Sequence, residues 1–441
     1  MYACPNCGGN LKFDIPSQQL ACEYCHTQAD PYSFEDKDEK SFANKDYEVT
    51  VFRCPQCGGE IVSTDTSAAE FCTFCGASTI LHSRLRNEKR PNYIIPFKKT
   101  KEDCKKAYSD MMKKAIFAPD ALKNPKYIDG FRGIYMPYWA FYVEQQSDFQ
   151  LAGSRTKRCG DYVITDHYNL KGDIDAYYKG LSYDASSSFD DNISEKLAPF
   201  DVKGMKEFTP TFLSGFYADT ADVDSEAYRM EAENFATEES VKKVRSAEEF
   251  AGMSITGSLG PGSLGTRTKE VDSTMFPVWF MSYRNGDRVA YATVNGQTGK
   301  VVADLPIDTR KYVWGSLILA IPIFILLNLF FTLMPSTLLI IATILAGISL
   351  VIYYSELGAI KKKEKPDDKK KDPGVLTAIL ALILGIGILV LQPVSDLFYY
   401  GGALVSLAGI FITIKDIMYY YNIMTTRRLP QFDRTGGDDR A

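Results

Sequence analysis

Histidine is almost missing. The 441 residues hold three, His26, His82 and His167, far apart in the chain. No Ser-His-acid triad, Cys-His pair or His-Glu-x-x-His helix can be assembled from them. Positive charge is missing where a nucleic-acid binder needs it: residues 1–90 carry 9 Lys and Arg against 13 Asp and Glu. Lys and Arg contacts to phosphate supply most nucleic-acid affinity, so the balance argues against that partner. The opening MYACPNCGG lacks a charged n-region and an apolar h-region, so a reducing compartment is expected. "NGQTGKVV" lacks the spacer of a phosphate loop and the hydroxyl after Lys300, and "TGSLGPGSLGT" (256–266) is Gly-rich without lysine. Paired acids such as Asp173 and Asp175, or Asp190 and Asp191, read as solvated surface. No enzyme is expected, and no catalytic or cofactor-binding residue is assigned.

What the chain does have is cysteine in a pattern. Cys4-x2-Cys7 is followed by Cys22-x2-Cys25, and the arrangement recurs fifty residues later at Cys54, Cys57, Cys72 and Cys75. A Cys-x2-Cys pair on a tight turn lets two thiolates reach one ion, and Gly8-Gly9 and Gly58-Gly59 free the backbone for such a knuckle. Two facing knuckles complete a sulfur tetrahedron. A disulfide framework suits a secreted chain, and redox chemistry expects one Cys-x2-Cys opening a helix rather than four in ribbon pairs. Two structural zinc ions are therefore expected, with no open position for a catalytic water. Ribbons this small cannot build a core, so chelation should unfold them. His26 reads as a knuckle residue, and Cys104 and Cys159 as ordinary thiols.

Charge is absent from 313–334, and apolar segments recur at 337–354, 374–392 and 397–414. Each falls in the range of a membrane-spanning helix. Pro335 and Pro393 stand in the two short links, suggesting two helical hairpins. Lys and Arg flank the spans on one side only: Arg310 and Lys311, the run KKKEKPDDKKK (361–371), and Arg427, Arg428 and Arg434. Both termini are thus expected in the cytosol. The lysine run reads as a topological signal ahead of a lipid site. Asn328, Thr343 and Ser406 inside the spans, with Glu356, Lys415 and Asp416 near their ends, are too sparse to favour a transporter, which stays as an alternative.

Residues 91–308 read as an α+β domain. "TKEDCKKAYSDMMKKAIFAP" (100–119) opens with a capping-box pattern at Thr100 and Asp103 and reads as a helix. Residues 222–250 read as one or two acidic helices, and "DYVITDHYNL" (161–170) as a strand. "YMPYWAFYVE" (135–144) and "MFPVWFMSYR" (275–284) echo one another through Pro-x-Trp, leaving a duplicated unit open. Asn295-Gly296 suits a tight hairpin turn.

The tandem CPxCGG…CxxC ribbons, "YIIPFKKTKEDCKKAY", Pro137 and Trp139, "FPVWFMSY" with "VNGQTGK", and the apolar C-terminal quarter together resemble the bacterial membrane proteins with a TFIIB-type zinc ribbon. Members resemble components of phage-shock-type envelope-stress operons beside PspA-like and SPFH proteins; a helicase label on others is unsupported here, since the chain has no helicase motor. The resemblance implies zinc at the eight ribbon cysteines and gives NGQTGK no chemical role. The expected organisation is multidomain: zinc ribbon 1 (1–30), a linker (31–50), zinc ribbon 2 (51–80), the α+β cytosolic domain (91–308), an all-α region of four transmembrane helices (313–421) and a cytosolic tail (422–441). The expected function is non-enzymatic docking of a protein assembly at the cytoplasmic membrane in envelope stress, with PspA-like or SPFH proteins as partners. The alternative is a membrane-tethered nucleic-acid binder.

Overall fold

The computed structural model describes residues 2–34, 46–63, 72, 74–75, 82–330, 334–363 and 373–428. The first ribbon is a small antiparallel sheet of β1 (Leu11–Asp14), β2 (Gln19–Cys22) and β3 (Gln28–Ala29). Leu11 and Leu20 alternate inward and are fully buried. The ribbon is seated on the rest of the protein: Phe13 N donates to Ser214 O at 3.0 Å, and Gln18 Nε2 to Phe97 O at 2.7 Å. Phe13 meets the Phe212 ring edge-on at 5.2 Å, which adds apolar burial to these hydrogen bonds.

The second ribbon is woven into the main sheet. Its strands β4 (Asp46–Arg53), β5 (Glu60–Ser63) and β6 (His82–Lys89) lie at one edge of a sheet that has 13 strands among the described residues. β4 starts inside the 31–50 stretch read as a linker, and β6 runs beyond residue 80. Residues 35–45 of that stretch lie outside the described residues, as do 364–371 of the basic loop and 429–441 of the tail.

The central body is built twice. Its first half runs β7 (Tyr93–Ile94), α1 (Lys101–Lys114), the turn α2 (Pro125–Ile128), β8 (Arg132–Cys159) and β9 (Tyr162–Asp184). A connection follows, with α3 (Asp191–Leu197) and β10 (Lys206–Glu207). The second half runs β11 (Tyr217–Ala218), α4 (Glu226–Arg245), β12 (Ser254–Thr256), β13 (Arg267–Asn285) and β14 (Arg288–Asn295). β8 and β13 pair antiparallel with Met136 opposite Phe276, so the two Pro-x-Trp motifs flank a local two-fold axis. The halves exchange strands: β7 pairs parallel with β13, and β11 parallel with β8. The same hydrogen bonds recur on each side. Ala185 N donates to Pro137 O at 2.9 Å and Gly296 N to Pro277 O at 2.8 Å. Trp139 Nε1 donates to Val223 O at 2.8 Å and Trp279 Nε1 to Lys99 O at 2.9 Å. The Pro-x-Trp echo therefore marks an internal structural repeat.

α1 starts with the full reciprocal capping box of Thr100 and Asp103 but stops at Lys114 rather than at 119. Beyond it the chain turns to seat the next helix: Phe117 O accepts from Asp308 N at 2.8 Å, and Lys311 Nζ donates to Ala118 O at 2.9 Å. The acidic stretch forms one long helix, α4, which lays Ala232 and Ala236 on Phe141 and Val143 of β8. Small side chains let this helix approach the sheet closely. The Asn295-Gly296 turn is longer than a two-residue hairpin, because β14 resumes only at β15 (Val301–Ala303). Asn295 Oδ1 accepts from Gln297 N and Thr298 N at 2.9 Å each, while its Nδ2 donates to Leu197 O at 3.1 Å and Pro199 O at 3.3 Å. NGQTGK thus holds the 197–201 loop against the sheet.

The C-terminal part comprises α5 (Thr309–Phe330), α6 (Pro335–Lys363), α7 (Pro373–Leu391) and α8 (Asp396–Thr425). Among the described residues three helices, α6, α7 and α8, are long and apolar enough to cross a membrane. They pack on one another, with Leu339, Ala342 and Ala403 buried between them. Pro335 opens α6 at its first residue, where a missing N–H costs nothing. α5 carries exposed Trp314, Ile318 and Leu319; the side chain of Asn328 and residues 331–333 lie outside the described residues. α8 continues past its apolar stretch and joins the body through β16 (Arg427–Arg428), paired to β14.

Candidate metal centres

The local backbone is the same in each visible knuckle. Cys4 N donates to Gly9 O at 2.7 Å and Gly8 N to Cys4 O at 2.8 Å; Cys54 N and Gly58 N repeat the pair at 2.9 and 2.8 Å. Gly8 and Gly58 sit at φ +74° and +79°, where a side chain would be strained. The same turn after Cys22 places His26 at φ +58°, with its N–H donating to Cys22 O at 3.0 Å. His26 is therefore a turn residue of the knuckle. Residues 73 and 76–81, around the last knuckle, lie outside the described residues.

These turns converge the sulfurs. Cys4 and Cys25 Sγ lie 3.6 Å apart, and Cys7 and Cys22 3.4 Å; in the second group Cys54 to Cys75 and Cys57 to Cys72 are each 3.7 Å. Within each group the four sulfurs all lie within 4.8 Å of one another. A tetrahedron with metal–sulfur bonds of about 2.3 Å has edges of about 3.8 Å, whereas a disulfide needs about 2.05 Å. The spacing fits two four-thiolate metal sites and no disulfide among these cysteines. Each group could hold a metal ion, as tandem zinc ribbons do.

The two centres differ in their surroundings. In the first, Cys7 is exposed and Cys25 partly so, and the Thr27 hydroxyl at 3.1 Å draws the Cys25 thiol down to about 6. In the second all four cysteines are buried and share a core with Phe74, Ile134 and Phe280. Sequence reading found the eight sulfurs but not this asymmetry, since β5 pairs on one side with Tyr217 and Ala218, far along the chain. Cys104 is buried in the main core and Cys159 lies at the exposed tip of the β8–β9 hairpin; among the described residues neither joins a group of metal-ligating side chains.

Missed by sequence reading was the tie between α8 and the body. Arg427 Nε donates to Asp190 Oδ2 at 2.9 Å, its other nitrogen pairs with Asp304, and the guanidinium lies 5.2 Å from the Tyr291 ring centre. Arg288 adds donation to Ile423 O and Thr426 O, each at 2.6 Å. Asn422 holds Ile307, donating to its carbonyl at 2.9 Å and accepting from its N–H at 2.7 Å. Read as a topological charge alone, Arg427 gave no hint of half-buried acids 123 and 237 residues away.

The chain is similar to the uncharacterized protein YdjG of Bacillus subtilis (strain 168), at 28% identity over 316 residues that cover 70% of this chain and 91% of that protein. No family model and no solved structure matches it.

Proposed function

We propose that this is a zinc protein anchored in the cytoplasmic membrane that docks a protein assembly, in the manner of the TFIIB-type ribbon proteins it resembles. In this reading both sulfur clusters bind structural zinc, α5 is a fourth span beside the other three, and both termini face the cytosol. The partner is a PspA-like or SPFH protein of an envelope-stress system, and no chemistry is catalysed.

One observation carries the docking reading. β14 meets the end of α8 and the following β16 through Arg288, next to the end of the sheet where β8 begins opposite Phe280. From there β8 runs 28 residues outward, a contour of about 90 Å at ~3.3 Å per residue. The hairpin tip it forms exposes Tyr162, Val163 and Ile164, an apolar group held at the far end from the apolar helices. Scattered exposed apolar residues are ordinary, but three in succession on a two-stranded arm form a contact patch.

The test is co-purification from native membranes of the wild type, a Tyr162→Ser/Val163→Ser/Ile164→Ser variant and a Cys54→Ser/Cys57→Ser variant, with proteins identified by mass spectrometry and zinc and nucleic acid quantified. Loss of a PspA-like or SPFH protein from the tip variant, with zinc retained, supports docking. Recovery of nucleic acid that salt removes would instead establish the tethered binder.

A further inference from the structure

A cavity of 340 Å³ lies where the first ribbon, the second ribbon and both halves of the body meet. Its lining includes three basic side chains, Lys12, Lys101 and Arg132, and no carboxylate, together with the aromatic rings of Phe131, Phe216 and Trp279. Each cation arrives from a different element: Lys12 from β1, Lys101 from the first turn of α1, and Arg132 from the first residue of β8. Lys12 is shared with Glu23 at 2.8 Å. Arg132 gives Nη1 to the carbonyls of Asp129 and Phe131, at 3.1 and 3.2 Å. Asp129 itself is engaged by Lys105 at 2.6 Å, and Lys101 has no ion pair among the described residues. Burial, then the neighbouring positive charges of Arg132 and Lys105, push the Lys101 ammonium below its ordinary range. Glu23 answers Lys12, and Asp129 and Glu102 only partly offset the positive charge around Lys101, so an anion entering the recess would be met by cations with no carboxylate in the lining.

The internal repeat supplies a control within the molecule. Register places Asp272 of β13 where the first half has Arg132, because Ile134 and Thr274 face equivalent strands. The matched tryptophan bonds set Val223 where the first half has Lys99, so Ser225 stands where α1 has Lys101. The scaffold takes an acid at one of these positions and a neutral side chain at the other, so the basic lining belongs to one half and is not required by the fold.

We propose that this cavity binds a small phosphate monoester carrying a planar ring. The dianion would be met by Lys101 and Arg132, and the ring by the aromatic side chains of the lining. A guanidinium beside an ammonium suits a doubly charged phosphate, and the volume, at the low end of the roughly 300–1,000 Å³ of small-molecule sites, suits a metabolite and excludes a macromolecule. Because Lys12 lies on the first ribbon, metal in that ribbon completes the site.

The probe is phenyl phosphate, titrated calorimetrically into the full zinc-loaded chain in detergent. Saturable one-to-one binding is expected, weakened at least about tenfold by Lys101→Gln and by Arg132→Gln, the loss of a charge-assisted hydrogen bond in each. Inorganic phosphate should bind more weakly and phenol should not bind. Lys157→Gln, on the distant hairpin, should leave binding unchanged. Absence of saturable heat, or unchanged affinity in both cavity variants, overturns the proposal. Should either variant lose zinc, acetylation of Lys101 in the wild type decides: protection by phenyl phosphate but not by phenol supports the site, and equal acetylation refutes it.

Discussion

Asp184 is where the protein's two halves disagree in a way that can be measured. It ends β9 as Asn295 ends β14, and both residues precede the matched backbone donors Ala185 and Gly296. Asp184 is 6% exposed, and its Oδ1 has no hydrogen-bond partner. Burial raises its carboxyl to about 7; Ser194 and the Ser186 N–H oppose the rise, while Asp191 and Asp219 add to it. The unfolded carboxyl releases its proton near 3.8, so between that pH and about 7 the folded state holds the extra proton. Stability therefore falls as pH rises through this window. At about 1.4 kcal/mol per pH unit the loss is at most about 4 kcal/mol by pH 8. Asp184→Asn, the residue already used in the other half, removes the ionisation. It should stabilise the protein at pH 8 by about 1–3 kcal/mol, or a Tm rise of about 2–12 °C at roughly 2–4 °C per kcal/mol for a domain of this size. Near pH 4 the two proteins should melt together. Thermal melts in detergent from pH 4 to 8 are the assay. A variant that is less stable at pH 8, or that keeps the wild-type slope, would show that Asp184 is not held protonated by burial.

Other substitutions probe the packing and the tie to α8. Gly296→Ala should cost about 1–3 kcal/mol by overpacking, since a Cβ there would lie 2.5 Å from Phe97 and 2.8 Å from Pro277; a melt indistinguishable from wild type would refute the close approach. Arg427→Met should leave Asp304 and Asp190 facing one another without their cation and lower stability by roughly 2 kcal/mol or more, with faster protease cleavage near residue 426. Restoring Asp304→Asn in the Arg427→Met background should recover part of that loss.

How much of this was legible in the sequence depended on distance along the chain. The eight cysteines announce themselves because ligand pairs are two residues apart and copies fifty apart, and the metal requirement fixes what they do. α1 was legible from Thr100 and Asp103, but its end was not: Ile116 and Phe117 continue the apolar pattern, and only the contact of Phe117 with Tyr312, at 5.3 Å, shows why the chain leaves the helix. The Pro-x-Trp echo was visible but undecidable, because the proof lies in Ala185 and Gly296, dissimilar residues making the same bond. The cavity was invisible, since Lys12, Lys101 and Arg132 meet only through the docking of a ribbon on a loop near Gly215.

The same geometry makes the two sulfur clusters different hosts for a metal ion. The first cluster closes a ribbon with its own three strands, docked on the body through Phe13, Gln18 and Tyr32. The second cluster sits in the core beside Phe280 of β13, so its sulfurs stand where a larger protein would place apolar side chains at the end of a sheet. Metal at the first site should therefore exchange readily through exposed Cys7, and metal at the second only when the sheet edge opens. Addition of a strong chelator with a colorimetric zinc reporter should release metal in two phases of equal amplitude. Cys4→Ser/Cys7→Ser should abolish the fast phase and leave the body's melt nearly intact. Cys54→Ser/Cys57→Ser should abolish the slow phase and destabilise the whole body, because the buried sulfurs of Cys72 and Cys75 would then lack their ion. A single phase in the wild type, or a body that melts normally without the second metal, would mean that the second ribbon is an appendage rather than the edge of the sheet.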